Sequence, residues 1–501
     1  MPAIPFCGET YSDKTLNANA QRAINWYPFV SPTPQNPKRQ IMYPTPNFYQ
    51  AISQSFTQSR GLINVNNNIF FVAGNGFYQF TPNNPQDPLL TQGSITKLGT
   101  LNTSFGICSI VCNTVQIVIS DSTYGYVYNL TSGAFTQIST SGGFPANGVT
   151  NLTYQDSFVI AAVNDSQELI ISNSLDATTW NALSVDKIYS YSDNISGVFS
   201  DGLQLYVMGP KFTEVQYDAG TYPYPFSRVQ GVLIKAGLAA VNSLCLVGNT
   251  VAFLASDIAG KAYVAFLNGY STEPISTAPI NEKLERYSTV SDAFAYTYRE
   301  GDNQFYVITF PTAQATWACD IKTKQWHERQ YNGGADLPSF YITWNGLHVV
   351  MDSTGNFYLM SQDYPPTGEV FLSVTIPSPR VRTCQHFMND GKTSFIEELH
   401  AEMECGLLDA QIQQYGIDIA NYGNNGNDNP PQVTLEISRD GGHVWHNVGM
   451  RSLGKMGQYL TRVIWRKLGR FRTYATFRVT ITDPCRPYLL GAWATIKGGL
   501  K

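Results

Sequence analysis

Charge is scarce in this sequence. Only 14% of its 501 residues are Asp, Glu, Lys or Arg, where a soluble domain usually carries about a quarter. The polar surface must therefore be built from Asn, Gln, Ser, Thr and Tyr, which suits a turn-rich β body with large contact surfaces. The first residues, "MPAIPFCGETYSDK", lack the basic start and apolar run of a secretion signal. No run of eighteen apolar residues occurs, so no direct membrane insertion is expected. Cysteine pairs of the CxxC kind are missing. The eight cysteines are scattered and read as buried, reduced thiols. Histidine offers only "HVWH", where His443 and His446 would point to opposite sides of a strand, a poor metal pair. GxSxG, Walker, GxGxxG and HExxH motifs are all absent. The expectation is no enzyme, no catalytic residue, no cofactor and no metal.

What is present starts with "NWYPFVSPTPQNPKRQIMYPTPNF", Asn25 to Phe48, with six prolines and five aromatic residues. Prolines fix φ and remove donors, which argues against helix and central strand. The aromatics are too many for a solvated linker. The expectation is an extended strap, residues 1–60, lying along this chain's own body or a neighbour's.

A repeat follows. Seven segments share one grammar of apolar run, tight turn, apolar run, turn and aromatic-rich strand, as in "SIVCNTVQIVISDSTYGYVYNL" and "SGVFSDGLQLYVMGPKFTEVQY". Their first turns fall at Asn67, Asn113, Asp156, Gly202, Asn249, Asp302 and Gly346, spaced 46, 43, 46, 47, 53 and 44 residues apart. A period in the forties with several short strands per unit predicts a β-propeller over 61–362. About seven blades are expected, the last closed by a strand from outside its own repeat. Six is the competing count because of the 53-residue interval, and a β-sandwich is the competing fold. No helix of useful length is expected between Phe48 and Leu359. After the linker "SQDYPPTG", strands alternating apolar and polar residues predict a second all-β domain of sandwich type over 363–501. Charge divides along the same line: residues 1–364 hold 17 Lys/Arg against 25 Asp/Glu, residues 365–501 hold 15 against 12.

Within the second domain "SRDGGHVW" matches the Asp-box hairpin, with Ser438, Asp440, Gly442 and Trp445. Asp440 can bind turn N–H groups, Gly442 can take positive φ and Trp445 can anchor the turn. Sialidases carry such boxes on their blades, but this one is single and outside the propeller, so it reads as a structural turn. Glu397/Glu398 and Glu402/Glu404 could serve as paired carboxylates but read as a solvated sheet face. Taking "LTRVIWRKLGRFRTYATFRVTI" as a hairpin puts Arg462, Arg466, Arg472 and Arg478 on one face. That face wants an anionic partner: its own carboxylates, DNA, or an acidic neighbour. With Trp26, Tyr27, Pro28, Tyr43 and Pro44 of the strap, these arginines form the candidate assembly interface.

The run "LEISRDGGHVWHNVGMRSLGKMGQYLTRVIWRKLGRFRTYATFRVTITDPCRPYLLGAWA", together with "QRAINWYP" and "IMYPTPNF", resembles the packaged-DNA stabilisation proteins that form the tail hub, or nozzle, of short-tailed phages. One departure is Asn47, where the family pattern has Gly; Asn tolerates the left-handed conformation next best. The resemblance implies a structural virion protein of the tail, assembled in the host bacterial cytoplasm. It implies a homo-oligomer, a hexameric ring below the portal and its adaptor ring proteins. That ring would enclose the channel through which packaged double-stranded DNA passes, retain the DNA and carry tail fibre or spike proteins. The alternative is a carbohydrate-binding or glycan-cleaving propeller used for host attachment. A third reading, a cell-surface binding propeller, is disfavoured by the missing secretion signal.

Overall fold

The computed structural model describes residues 3–31, 40–54, 56–84, 93–362, 378–388, 393–404, 430–454, 461–483 and 485–498. Along residues 59–361 the chain forms seven small antiparallel sheets in succession. Blade 1 runs from Ser59–Val65 to Gly93–Thr100, blade 2 from Ser109–Cys112 to Phe135–Gln137, and blade 3 from Val149–Gln155 to Asp176–Lys187. Blade 4 runs from Gly197–Ser200 to Phe226–Arg228, blade 5 from Gly237–Leu238 to Ser271–Pro274, and blade 6 from Phe294–Glu300 to Trp326–Arg329. Blade 7 takes three strands from its own repeat, ending at Phe357–Ser361, and receives the fourth, Asn47–Ile52, from the N-terminal segment. The first strand of blade 1 touches the first strands of both blade 2 and blade 7, so the ring closes. This is a seven-bladed β-propeller.

The first turn of every blade needs a left-handed residue, and each has one: Asn66 and Asn67, Thr114, Asp156 and Ser157, Gly202, Gly248, Gly301, Asn345 and Gly346. The second strands are apolar throughout because both of their faces are covered. In blade 2, Ile117 and Ile119 pack toward blade 1 while Val118 packs toward blade 3. In blade 5, Val251, Phe253 and Ala255 face blade 4 while Ala252 and Leu254 face blade 6. Alternating side chains thus supply two separate inter-blade cores from one strand. The 53-residue interval holds a helix, Ala278–Arg286, rather than a lost blade. The expectation of no helix fails there. Pro279 opens it and Pro279, Ile280 and Leu284 are buried against blade 5.

The C-terminal domain is two facing sheets around Trp465, Phe471, Phe477, Val479 and their neighbours. One sheet orders Trp26–Val30, Gln40–Pro44, Tyr488–Gly498, Ser394–Glu404 and Arg462–Phe471. The other runs Ala20–Ile24, Arg380–Thr383, Tyr474–Ile481, Gln432–Ser438 and His446–Ser452. It is continuous with blade 6, because Ile24 also pairs in parallel with Glu328.

The N-terminal segment is therefore extended, but it is woven in rather than laid on. Its residues form strands in blade 7, in both sandwich sheets and against blade 6. The proline argument applies only at edges: Pro28 lies on the edge strand Trp26–Val30, and Pro44 ends its strand. The left-handed conformation expected at Asn47 is absent; Asn47 opens the extended closing strand and its Oδ1 accepts from Arg380 Nη2 at 2.8 Å. Asn25, φ 54°, is the left-handed asparagine of this segment. The linker "SQDYPPTG" lies outside the described residues from residue 363 on.

Candidate functional site

The seam between propeller and sandwich is built by the strap. Asn25 Nδ2 donates to the carbonyls of Gln330 in the propeller and Pro379 in the sandwich, each at 3.0 Å, and its Oδ1 accepts from the Gln330 N–H. Trp26 is fully buried in the sandwich core, its Nε1 donating to the Pro487 carbonyl at 3.1 Å. Tyr27 turns the other way, edge-on to Phe305 of blade 6 at 4.9 Å, and accepts from Gln362 Nε2. Pro28 and Pro44 are buried as well, and Tyr43, half-buried, stacks on Phe29. Trp26, Tyr27, Pro28 and Pro44 are thus covered within this chain, and of the five candidate strap residues Tyr43 keeps partial exposure.

Arginines carry much of the polar load here. Arg382, without exposure, donates to the carbonyls of Phe6, Glu9 and Arg22 and to Gln21 Oε1. Burial lowers its guanidinium to about 10. Arg329 lies between the Phe48 and Tyr298 rings with its Nε 2.8 Å from Asp336 Oδ2. The N–H does not aim at that oxygen, so the pair is held by charge rather than by a formed hydrogen bond. Burial raises the Asp336 carboxyl despite the adjacent guanidinium. Next to them His327 is fully buried with neither ring nitrogen bonded, packed by Tyr27 and Phe305.

The Asp-box turn has the local geometry its residues imply. Ser438 Oγ accepts from the Gly442 N–H at 2.8 Å, and Asp440 Oδ1 accepts from the His443 and Val444 N–H groups at 3.1 and 3.0 Å. Its hydrogen bond from Ser438, then that from the Val444 N–H, hold the Asp440 carboxyl below its ordinary value. Gly442 has φ +99° and Trp445 lies under Arg478, whose guanidinium is 4.1 Å from the ring centre.

The arginine face read from the sequence does not exist as one surface. Arg462–Phe471 and Tyr474–Ile481 are consecutive but belong to different sheets, so the two-residue connection Arg472–Thr473 crosses the sandwich instead of making a hairpin. Arg462 and Arg466 point outward from one sheet, Arg478 from the other. Arg466 pairs with Glu398 at 2.7 Å and Arg478 with Glu436 at 2.6 Å. Arg462 and Arg472, both exposed, have no carboxylate pairing among the described residues. What the crossover does gather is exposed Lys467, Arg470 and Arg472 with Arg439, which the sequence reading missed. Arg439 Nη2 donates to the Leu468 carbonyl and its guanidinium covers Phe471, which brings the Asp-box turn to this end of the sandwich.

The other candidates are structural. Glu397 pairs with Lys497, and Glu398 with Arg466 and His400, along an open sheet face. His386 spends both nitrogens on Thr476 and the Leu16 carbonyl. His443 and His446 are exposed, and no group of three metal-ligating residues occurs among the described residues. Seven cysteines are free thiols, and burial raises Cys108, Cys245 and Cys384 to about 12; Cys405 lies outside the described residues.

Two cavities open on the propeller. One of 260 Å³ lies on its axis, lined by inner strands including Cys108, Leu152, Phe199, Leu244, Tyr296 and Tyr341. The second, 440 Å³, is a cleft between the first hairpins of blades 6 and 7. Tyr298, Arg299, Gln304, Tyr341 and His348 line it; the Tyr341 hydroxyl is 2.7 Å from His348 Nδ1.

Solved structures share low overall similarity. The extracellular domain of the putative hybrid two-component system BT4673 from B. thetaiotaomicron is 9% identical over 84% of this chain and 48% of that one, TM-score 0.42. PorZ of Porphyromonas gingivalis is 10% identical over 70% of this chain, TM-score 0.39; the chain spans 44% of its length. The WD40 β-propeller domain of Doa1 is 11% identical over 63% of this chain and 97% of that one, TM-score 0.39. No curated protein sequence matches the chain. Family models do: the β-propeller of bacteriophage P22 Gp10 matches residues 9–356, and the β-sandwich of the same protein matches residues 380–497. Matched across both of its domains, the chain belongs to the bacteriophage P22 Gp10 family of structural phage proteins that stabilise packaged DNA.

Proposed function

We propose that this chain is one subunit of a tail hub, or nozzle: a hexameric ring below the portal and its adaptor that closes the DNA channel, retains packaged DNA and seats fibres or spikes. The observation that supports this reading is the interlocked build. A strap that closes blade 7 and continues both sandwich sheets makes propeller and sandwich one stiff block, as a ring that resists the pressure of packaged DNA needs. Each subunit is then a wall element, and the mild net charge of −5 suits a conduit that must let DNA slide. Assembly in the host cytoplasm fits the free thiols. The role asks for no chemistry, and we expect no hydrolase activity. Electron microscopy of particles carrying the chain tests this: six-fold density at the tail vertex is expected, and a chain absent from the particle, or present only as isolated monomers, overturns it.

The second reading, a glycan-binding propeller for host attachment, has one observation in its favour. The cleft of Tyr298, Arg299, Tyr341 and His348 offers aromatic faces beside donors, the chemistry that grips a sugar ring. Glycan turnover or saturable oligosaccharide binding by the purified chain, lost in Tyr341→Ala, would favour it over the hub.

A further inference from the structure

Large apolar side chains stand in solvent at several places on the propeller, Phe105, Leu203 and Ile258 among them, and three of the most exposed lie on blades 3 and 4. Leu183 is 70% exposed, Tyr189 82% and Tyr222 87%. They are neighbours across blades 3 and 4. Ser184 Oγ donates to the Pro223 carbonyl at 2.9 Å, Gln216 Nε2 to Asp186 Oδ2 at 2.9 Å, and Ser190 Oγ to Glu214. Those bonds hold the segments that carry the three side chains together, and large apolar groups gathered on adjoining segments mark an interaction surface. Tyrosine is also a residue type that binding surfaces favour.

Charge says what fits it. Residues 149–228, which form blades 3 and 4, hold nine Asp/Glu against three Lys/Arg, a net −6. That is most of the acidity of the whole propeller. Glu214 is buried beside Arg228, while Asp218, in the segment that leads to Tyr222, is exposed. Residues 430–498 hold eleven Lys/Arg against three Asp/Glu, a net +8. Some of that charge is spent inside the domain, on Glu397, Glu398 and Glu436. The crossover end is not: Arg439, Lys467, Arg470 and Arg472 are exposed, and no carboxylate pairs with them among the described residues.

Among the described residues the two surfaces share no sheet and no hydrogen bond within one molecule. The sandwich joins the propeller at blade 6 through Ile24 and Glu328. Blades 3 and 4 lie two to three steps away around seven, roughly 100–150° of the ring for blades spaced evenly about one axis. A patch and its complement on different sides of a subunit make a head-to-tail contact, which repeats from copy to copy and closes into a ring when the rotation allows. We propose that the aromatic, acidic rim of blades 3 and 4 receives the basic crossover end of a second copy of this chain. The contact rests on the ring reading above and assigns its two faces. Tyrosines supply the dry centre and arginines a charged rim that orients approach.

Two double variants test it, Tyr189→Ser with Tyr222→Ser and Arg470→Glu with Arg472→Glu, each confirmed folded by circular dichroism. Both change exposed side chains only. Native mass spectrometry and sedimentation velocity of the full chain at physiological salt are expected to show wild-type rings and each variant monomeric. Mixing the two variants is the decisive arm. Each keeps one intact face, so a head-to-tail contact allows one good interface per pair, and the mixture should stop at a 1:1 dimer. Rings from either variant alone, or no dimer on mixing, overturn the proposal while leaving the ring reading intact. A wild type that stays monomeric at every concentration overturns both.

Discussion

His327 is the buried group whose cost can be worked out most cleanly. It lies on the outer strand of blade 6, without exposure, between the rings of Tyr27 and Phe305. Burial first, and the Arg329 guanidinium second, hold its imidazole down to about 3. In the unfolded chain it titrates near 6.5. Below that pH the unfolded state takes up a proton that the folded state refuses, so stability falls as pH falls. Linkage gives a loss of about 0.1 kcal/mol at pH 7.5, about 1.4 at pH 5.5 and about 2.7 at pH 4.5. The figure at pH 4.5 hardly depends on the folded value, since the buried ring stays mostly neutral there anyway.

His327→Phe removes the titration and both unbonded ring nitrogens while keeping a flat ring between two others. At pH 7.5 the variant should be as stable as the wild type or more so, because an unsatisfied buried polar group disappears. Urea unfolding, followed by tryptophan emission at pH 7.5, 5.5 and 4.5, measures the difference. The carboxylates titrate in both proteins and cancel in the comparison. The variant should gain about 2.6 kcal/mol on the wild type between pH 7.5 and 4.5. Parallel stability curves would refute the reasoning, and so would a loss at pH 7.5 of more than about 2 kcal/mol, which would mean the imidazole makes hydrogen bonds the packing does not reveal.

Asp336→Asn should cost about 3–5 kcal/mol, because it leaves the Arg329 guanidinium buried without its counter-charge; the urea midpoint reads it. Trp26→Ala should cost about 3–5 kcal/mol, since the ring is wholly inside the sandwich core and bonds the Pro487 carbonyl; an unchanged midpoint would mean that the strap is not docked. Denatured, unreduced protein should alkylate at all eight cysteines, and six or fewer modified thiols by mass spectrometry would contradict the reduced state.

The parts of the fold that were legible in the sequence are those whose cause is local. A tight hairpin needs positive φ, so Asn67, Asp156, Gly202 and Gly346 announced their turns from residue type alone. The continuous apolar second strands announced burial on both faces. The strap was misread because proline rules describe a residue's own backbone, whereas edge positions are assigned by partners far away: Trp26–Val30 pairs only on one side, with Gln40–Pro44. The arginine face failed for a similar reason. Alternation within each strand was read correctly, but whether two consecutive strands share a sheet is a property of the connection. A signal was there: Arg472 and Thr473 include no Gly, Asn or Asp and neither has positive φ, so they cannot make the favoured two-residue hairpin. Reading that connection as a crossover would have separated Arg462 and Arg466 from Arg478 and drawn in Arg439.

The same strap explains why the motifs that carry the family resemblance sit at the ends of the chain, although the family's propeller model matches the blades as well. A propeller blade needs apolar strands and turn formers, conditions that many sequences satisfy. The seam admits fewer. Asn25 must be left-handed and must reach two carbonyls in different domains. Tyr27 must fit between blades 6 and 7 while Trp26, one residue earlier, fits the sandwich. Asn47 must open the strand that closes the ring and also receive Arg380 from the sandwich. Each of these residues answers to both domains at once, so a change that suits one is opposed by the other. The motif is thus the imprint of the joint, and the strap's extended form follows from having to reach blade 6, two sandwich sheets and blade 7 in a single pass.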